Sequence, residues 1–235
     1  MRAIGMLLLL GFQVSTVQAE EAACKVPPSL TSQNYDTIQS NERNRCLADT
    51  VARRPDYNML VLSWSPNYCS SQKVGASYKD EAKFQCETNK FGWVVHGLWG
   101  QSNNPQQCVA NPEEADRKTP LHPRYCKGDL PKLPEAEIRA QMCTMPGAKL
   151  VQAQWEKHGA CIFDTSSAYF AKIRELRAAL QLPDSIMSQT QLFSWMRANN
   201  PALAGRRLDY NPRTKELQVC YDKSWRHADC PARAR

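Results

Sequence analysis

Ten cysteines in 235 residues constrain this chain more than any other feature of it. They stand at Cys24, Cys46, Cys69, Cys86, Cys108, Cys126, Cys143, Cys161, Cys220 and Cys230, an even set that survives whole if a short leader is removed. Such a set belongs in an oxidising compartment, where bridges persist and tie loops that a reduced protein would have to hold by packing. With 42% hydrophobic and 23% charged residues, the chain suits one globular domain or at most two small ones. Neither the 10 glycines nor the 15 prolines point to a collagen-like, low-complexity or disordered polymer, and no coiled-coil pattern is present.

The N-terminus agrees with export. Arg2 supplies a positive start, residues 4–12 (IGMLLLLGF) an apolar stretch, and Val17-Gln18-Ala19 small residues ahead of a cut, so 1–19 read as a secretory signal peptide. A transmembrane anchor needs about 20 apolar residues, roughly twice what this stretch offers. A lipoprotein signal ending at Cys24 would want an apolar residue just before it, which Glu21-Ala22-Ala23 lacks. The expectation is an exported monomer, periplasmic or secreted, with no membrane span after signal cleavage. Loss of 1–19 removes only Arg2 among charged side chains and lowers the formal charge from +7 to +6, a surplus that permits attraction to a polyanion without requiring it.

Along the chain, residues 20–56 form a polar N-terminal extension, stapled to itself or to the body through its cysteines. Residues 57–64 (YNMLVLSW) are a continuous apolar run rich in strand formers that Ser65-Pro66-Asn67 should turn into a loop. Residues 91–99 (FGWVVHGLW) read as a second strand with His96 at or near its end. From 100 to 134 the chain is polar, and Pro105, Pro112, Pro120, Pro123, Pro131 and Pro134 break regular structure, which describes a long surface loop. Helices are expected after Pro134, over 149–158, over 166–181 with a Tyr169, Phe170, Ile173, Leu176, Leu180 stripe, and over 190–199; residues 215–221 alternate as a strand. Strands and helices mix without a βαβ rhythm, so the fold class is α+β: a central antiparallel β-sheet with several packed helices and long disulfide-tied loops.

Two segments carry chemistry: Trp93-Val-Val-His96-Gly97-Leu98-Trp99 and Gln154-Trp-Glu-Lys157-His158-Gly-Ala-Cys161. On a helix, Gln154, Lys157 and His158 share a face, since residues three and four apart are neighbours. Two imidazoles can divide general-base and general-acid duties near neutral pH, a lysine can steady an anionic transition state, and tryptophan offers a nucleobase a stacking face. Together they suit cleavage of RNA by its own 2′-hydroxyl. Taken singly, a His-Gly at a strand end is more often structural, and tryptophans beside histidine usually belong to a core. His96, His122, His158 and His227 show no metal-ligand spacing, so no metal and no cofactor are expected.

Taken together, the segments resemble the ribonuclease T2 family. His96-Gly-Leu-Trp99 is similar to its first signature, and Gln154-Trp-Glu-Lys-His-Gly-Ala-Cys161 to its second, His-Glu-Trp-x-Lys-His-Gly-Thr-Cys. Leu60-Val-Leu-Ser-Trp-Ser-Pro-Asn-Tyr-Cys69 resembles its first core strand and Cys220-Tyr-Asp-Lys with Asp229-Cys230-Pro231 its closing strand; Cys126 to Cys143 is similar to the bacterial periplasmic members. The resemblance spans roughly 57–231 and implies a catalytic domain over 57–235. It implies His158 as general base, His96 as general acid, Lys157 as the group that stabilises the pentacoordinate state, and Trp99 as a base-stacking residue. The substrate would be single-stranded RNA, cut with little base selectivity to 2′,3′-cyclic phosphates and then 3′-phosphates.

This chain departs from the family pattern where histidine and glutamate become Ala153 and Gln154, and where Gly100 replaces a proline after Trp99. An amide at 154 can hold a phosphate oxygen or orient Lys157 but cannot move a proton, which implies a slowed enzyme, or alternatively a catalytically weakened relative kept for RNA or partner binding. His122 is a candidate for the missing imidazole but reads first as a surface histidine beside Pro123, and His227 as structural. The family also suggests a bridge Cys108–Cys161; Cys220–Cys230 would close the final hairpin, Cys69–Cys86 the loop between the first two strands and Cys126–Cys143 the proline-rich insertion, leaving Cys24–Cys46, although ten cysteines admit on the order of a thousand pairings.

Overall fold

The computed structural model describes residues 24–30, 55–71, 82–109, 118–128 and 130–232. The leader 1–19 and most of the extension 20–56 lie outside them. The fold class is as expected, α+β on an antiparallel sheet, and the apolar run at 57–64 is its centre. β1 (Tyr57–Trp64) pairs antiparallel on one side with β2 (Trp93–Gln101) and on the other with β6 (Glu216–Tyr221); β5 (Asp209–Asn211) and β7 (His227–Ala228) also pair with β6. The run is apolar on consecutive positions because both faces of β1 are covered. Leu60 and Leu62 enter the main core, while Met59 and Val61 face a smaller cluster with Cys220 and Cys230, against which Tyr57 and Trp99 pack.

Ser65-Pro66-Asn67 ends β1 as expected, but into a short helix, α1 (Ser65–Ser71), rather than a loop. Pro66 sits in its first turn, where a missing N–H costs nothing. A six-residue π-helical segment, Lys83–Thr88, precedes β2. The stretch from 100 to 134 is not wholly irregular: β2 runs on to Gln101, and β3 (Gln106–Val109) pairs with β4 (Lys118–Leu121) in a separate two-stranded ribbon that accommodates Pro120. A two-stranded ribbon is all edge, the one sheet setting that tolerates proline.

The helices follow their sequence signals. α2 (Glu135–Arg139) starts after Pro134 with Glu135 and Glu137 in its first turn, and α3 is Ala148–Lys157. α4 (Ser166–Ala178), capped by Thr165, buries Tyr169, Phe170, Ile173 and Leu176 at helical spacing. α5 (Gln189–Asn199) opens with a capping box between Ser188 and Gln191 and stops before Pro201. α4 also secures the outer edge of β2: the Tyr169 hydroxyl accepts from the Leu98 N–H and donates to the Leu98 carbonyl, both at 3.2 Å.

Two of the five expected bridges form, Cys69–Cys86 and Cys220–Cys230. Three are corrected. Cys24 bonds Cys143, not Cys46, because residues 24–30 lie along the body: Lys25 N–H donates to Asn89 Oδ1 at 2.8 Å, and Arg139 donates to the carbonyls of Pro27 and Pro28. This takes Cys143 from Cys126. Cys126 instead bonds Cys161, which excludes Cys108–Cys161, because the Tyr125 N–H donates to the Lys157 carbonyl at 2.9 Å and lays residues 122–128 against the end of α3. Cys46 lies outside the described residues.

Candidate active site

His96 stands inside β2, not at its end, and it interrupts the ladder. Val61 pairs with Gly97 and Leu62 with Val95, so His96 is the extra residue of a β-bulge, and the Val95 N–H turns to the Thr144 carbonyl at 2.9 Å. A bulge re-aims a side chain without ending the strand. Here it sends His96 toward β6, across β1, where His96 Nδ1 meets Glu216 Oε1 at 2.6 Å. Ser63 of β1 donates to the same oxygen at 3.2 Å, and Thr214 Oγ1 donates to Oε2 at 2.7 Å. Burial works against the carboxylate, but the His96, Thr214 and Ser63 hydrogen bonds and the charge on His96 outweigh it and hold the Glu216 pKa below the ordinary value.

The other half of the site comes from the end of α3. The helix closes at Lys157, and His158 follows as its C-cap with φ −125°, its N–H donating to the Gln154 carbonyl at 3.1 Å. Leaving the helix there turns the imidazole onto Trp99: the rings stack with centroids 5.2 Å apart and planes 25° apart. His96 borders the same indole, edge-on at 5.2 Å and 81°. Trp99 Nε1 donates to Gln154 Oε1 at 2.7 Å, so the indole joins both signatures. Gly97 is required by this arrangement, since a Cβ there would lie 1.9 Å from Gln154 Oε1 and 2.7 Å from Trp99 Nε1. Gly100 is likewise filled from outside, by Pro55, whose Cγ would lie 2.3 Å from an added Cβ.

The two imidazoles have unlike surroundings. His158 is buried, its Nδ1 without a hydrogen-bond partner among the described residues, and its pKa is pushed well below 6.5 first by burial and then by the charges of Lys157, His96, Arg124 and His122. It is therefore held neutral, the form that accepts a proton. His96 instead faces a carboxylate that supplies a counter-charge for its protonated form. Lys157 is also lowered, by burial and by Arg124. Among the described residues no three His, Cys, Asp or Glu side chains gather as a metal ligand set.

All the residues singled out in the sequence, His96, Trp99, Gln154, Lys157 and His158, thus come together. Gln154 and His158 meet on Trp99 as their four-residue spacing suggests, and Trp99 itself is engaged by both histidines. His122 is not a plain surface residue. It is half-buried, its Nδ1 accepts the Ser102 N–H at 3.1 Å, and its charge reaches His158. His227 packs on Tyr221 in the closing strands. Glu216 and Arg124 had no motif to mark them; the only trace of Glu216 was an acid opening an apolar strand.

Comparisons with known proteins bear on family and fold. The ribonuclease T2 family model matches residues 55–194. A probable ribonuclease of Haemophilus influenzae is 41% identical over 217 residues, covering 91% of this chain and 73% of that protein. A ribonuclease of Aeromonas hydrophila is 29% identical over 108 residues, 45% of this chain and 37% of that protein. Among solved structures, trichomaglin, described as a novel S-like ribonuclease, shares the fold with a TM-score of 0.51 at 18% identity, over 77% of this chain and 94% of its own. With a family match across more than half its length and a relative 41% identical over 91% of it, the chain belongs to the ribonuclease T2 family.

Proposed function

We propose that this chain, a T2-type endoribonuclease, cleaves single-stranded RNA without a metal, by attack of the 2′-hydroxyl on the adjacent phosphorus. The observation that carries the reading is the unlike surroundings of two histidines that contact one indole. His158, held neutral, takes the 2′-hydroxyl proton. The 2′-oxygen bonds to phosphorus, Lys157 offsets charge on the pentacoordinate state, and the 5′-oxygen leaves with a proton from His96. With Nδ1 facing Glu216, His96 would deliver that proton from Nε2. The products are a 2′,3′-cyclic phosphate and a 5′-hydroxyl; water then opens the ring to a 3′-phosphate with the two histidines exchanging roles.

Base selectivity is low in this reading, with Trp99 as the stacking residue. Gln154 slows the reaction. Its amide holds Trp99 but brings no charge, and the loss of one charged contact corresponds to about 1.5–3 kcal/mol, or one to two decades in rate. The bridges among the described residues support an oxidising compartment, and no described helix is long and apolar enough to cross a membrane. We read 1–19 as the leader, 20–56 as an extension clamped to the body at Cys24, 57–235 as the catalytic domain, and the monomer as periplasmic or secreted. Purified protein incubated with poly(U) in EDTA between pH 4 and 8 should release cyclic phosphate, visible by phosphorus NMR; release of none would end the proposal.

A further inference from the structure

Residues 122–128 are fastened to both halves of the site. The Ser102 N–H, just past β2, donates to His122 Nδ1 at 3.1 Å. The Tyr125 N–H donates to the Lys157 carbonyl at 2.9 Å, and Cys126 is bonded to Cys161, three residues beyond His158. Tyr125 takes a left-handed backbone with φ 51°, which L-residues rarely adopt, and the turn it makes is closed by the Gly128 N–H to its carbonyl at 2.9 Å. Lys127 adds contacts to the carbonyls of Phe163 and Asp164 at 3.3 and 3.1 Å. The segment is therefore fixed where it passes the catalytic histidine, and it carries two groups with no place in the proton transfers: His122 and Arg124.

Their chemistry is specific. Because His122 Nδ1 accepts a backbone N–H, the neutral ring carries its proton on Nε2, and that nitrogen has no hydrogen-bond partner among the described residues. Arg124, next to Tyr125, bears a permanent charge felt by both Lys157 and His158. A guanidinium and a neutral N–H donor on this segment thus join the Lys157 ammonium among the groups whose charge or dipole bears on His158.

We propose that His122 and Arg124 form a phosphate-holding arm of the active site, gripping the non-bridging oxygens of the phosphodiester. This rests on the reading of the site as RNA-cleaving. Arg124 and Lys157 supply charge to the anion, and His122 donates from Nε2, so that the phosphorus is held before and during attack. The bound group is a phosphate oxygen anion, in a strand or free in solution.

Two probes test the arm without requiring turnover. Inorganic phosphate reports the free anion. Poly(dU), which lacks the 2′-hydroxyl and cannot be cut, reports the strand. The variants are His122→Asn, whose side-chain oxygen can still accept the Ser102 N–H while the Nε2 donor is lost, and Arg124→Gln, with Arg124→Lys and melting temperature as folding controls. Arg124→Gln should weaken phosphate binding by about tenfold or more. It should also flatten the salt dependence of poly(dU) binding by about 0.7 in log–log slope. His122→Asn should weaken phosphate binding while leaving the melting temperature unchanged. His96→Ala, which removes the proposed acid and leaves the arm intact, should fail to cut poly(U) while keeping its melting temperature. If both arm variants bind phosphate and poly(dU) like the parent, the arm is wrong even where His96→Ala abolishes cleavage. If the parent cuts no RNA, the cleavage reading fails while the binding measurements still decide the arm.

Discussion

Glu216 and His96 meet at 2.6 Å although they stand on strands that do not touch: β6 and β2 are separated by β1, and only the bulge at His96 lets the imidazole reach across. The carboxylate is held by Ser63 and Thr214, so it engages Nδ1 and leaves Nε2 as the nitrogen available for the proposed proton transfer. Replacing Glu216 by Gln should lower kcat by about tenfold to a hundredfold, the cost of losing one charge-assisted hydrogen bond. KM and melting temperature should hardly move. A fall in KM-limited binding with kcat intact would mean that Glu216 serves only to shape the cleft.

Trp99 predicts a second result. Its N–H to Gln154 and its stacking on His158 are made by one ring, so Gly97→Ala, whose methyl would lie 1.9 Å from Gln154 Oε1, should push the amide off the indole. Activity should fall about tenfold or more while the sheet persists, since the clash is with a side-chain tip rather than the backbone. Tryptophan fluorescence would show the displaced indole; unchanged activity and emission would show that the Trp99–Gln154 contact does not order the site.

Gln154→Glu reverses the sign. A carboxylate can still accept the Trp99 N–H and adds the charge the amide lacks, so kcat on poly(U) should rise by about one to two decades. A rate equal to the parent's would remove Gln154 as the cause of any slowness, and a parent rate no better than that of His96→Ala would favour a binding role.

These tests separate what local pattern revealed from what it hid. His96, Trp99, Gln154, Lys157 and His158 were legible because each signature is contiguous, and the Tyr169-to-Leu176 stripe because a helix writes its buried face at regular spacing. Glu216 was not, because it reaches His96 from 120 residues away through a bulge that leaves no mark on composition. The β3–β4 ribbon was hidden by Pro120, which breaks a central strand but not a two-stranded one. Bridges failed where separation was long: Cys24–Cys143 spans 119 residues and Cys126–Cys161 spans 35, whereas Cys69–Cys86 and Cys220–Cys230 close local loops of 17 and 10.

His158 sets the response to pH. Burial, Lys157, His96, Arg124 and His122 lower its pKa well below 6.5, so the acid limb of kcat/KM should lie below the ordinary imidazole value. Arg124→Gln removes one of those charges and should move the limb to higher pH. Stability carries the same sign. The unfolded chain takes up this proton near pH 6.5 and the folded chain only at lower pH, so the contribution is present above about pH 6.5 and is lost as pH falls through the folded value. Melting temperature should therefore drop between pH 7 and 5 more steeply in the parent than in His158→Gln; parallel curves would show that the imidazole is not buried neutral.

Cys126–Cys161 joins the segment bearing His122 and Arg124 to the turn that follows His158. Opening it by Cys126→Ser with Cys161→Ser frees a loop of 35 residues, which in the chain-entropy account costs about 3–4 kcal/mol of stability. Loss of activity should exceed what unfolding explains. At a temperature where the double variant is still folded by circular dichroism, KM for RNA should rise, because only hydrogen bonds and ion pairs, the Tyr125 to Lys157 one among them, then hold the left-handed turn in place. Cys69→Ser with Cys86→Ser is the control, a bridge between α1 and the π-helical segment that touches neither signature. It should lower the melting temperature and leave KM near the parent value. Equal kinetic effects from the two pairs would show that Cys126–Cys161 acts only on stability, and peptide mapping under non-reducing conditions that joined Cys161 to Cys108 would remove the basis of the comparison.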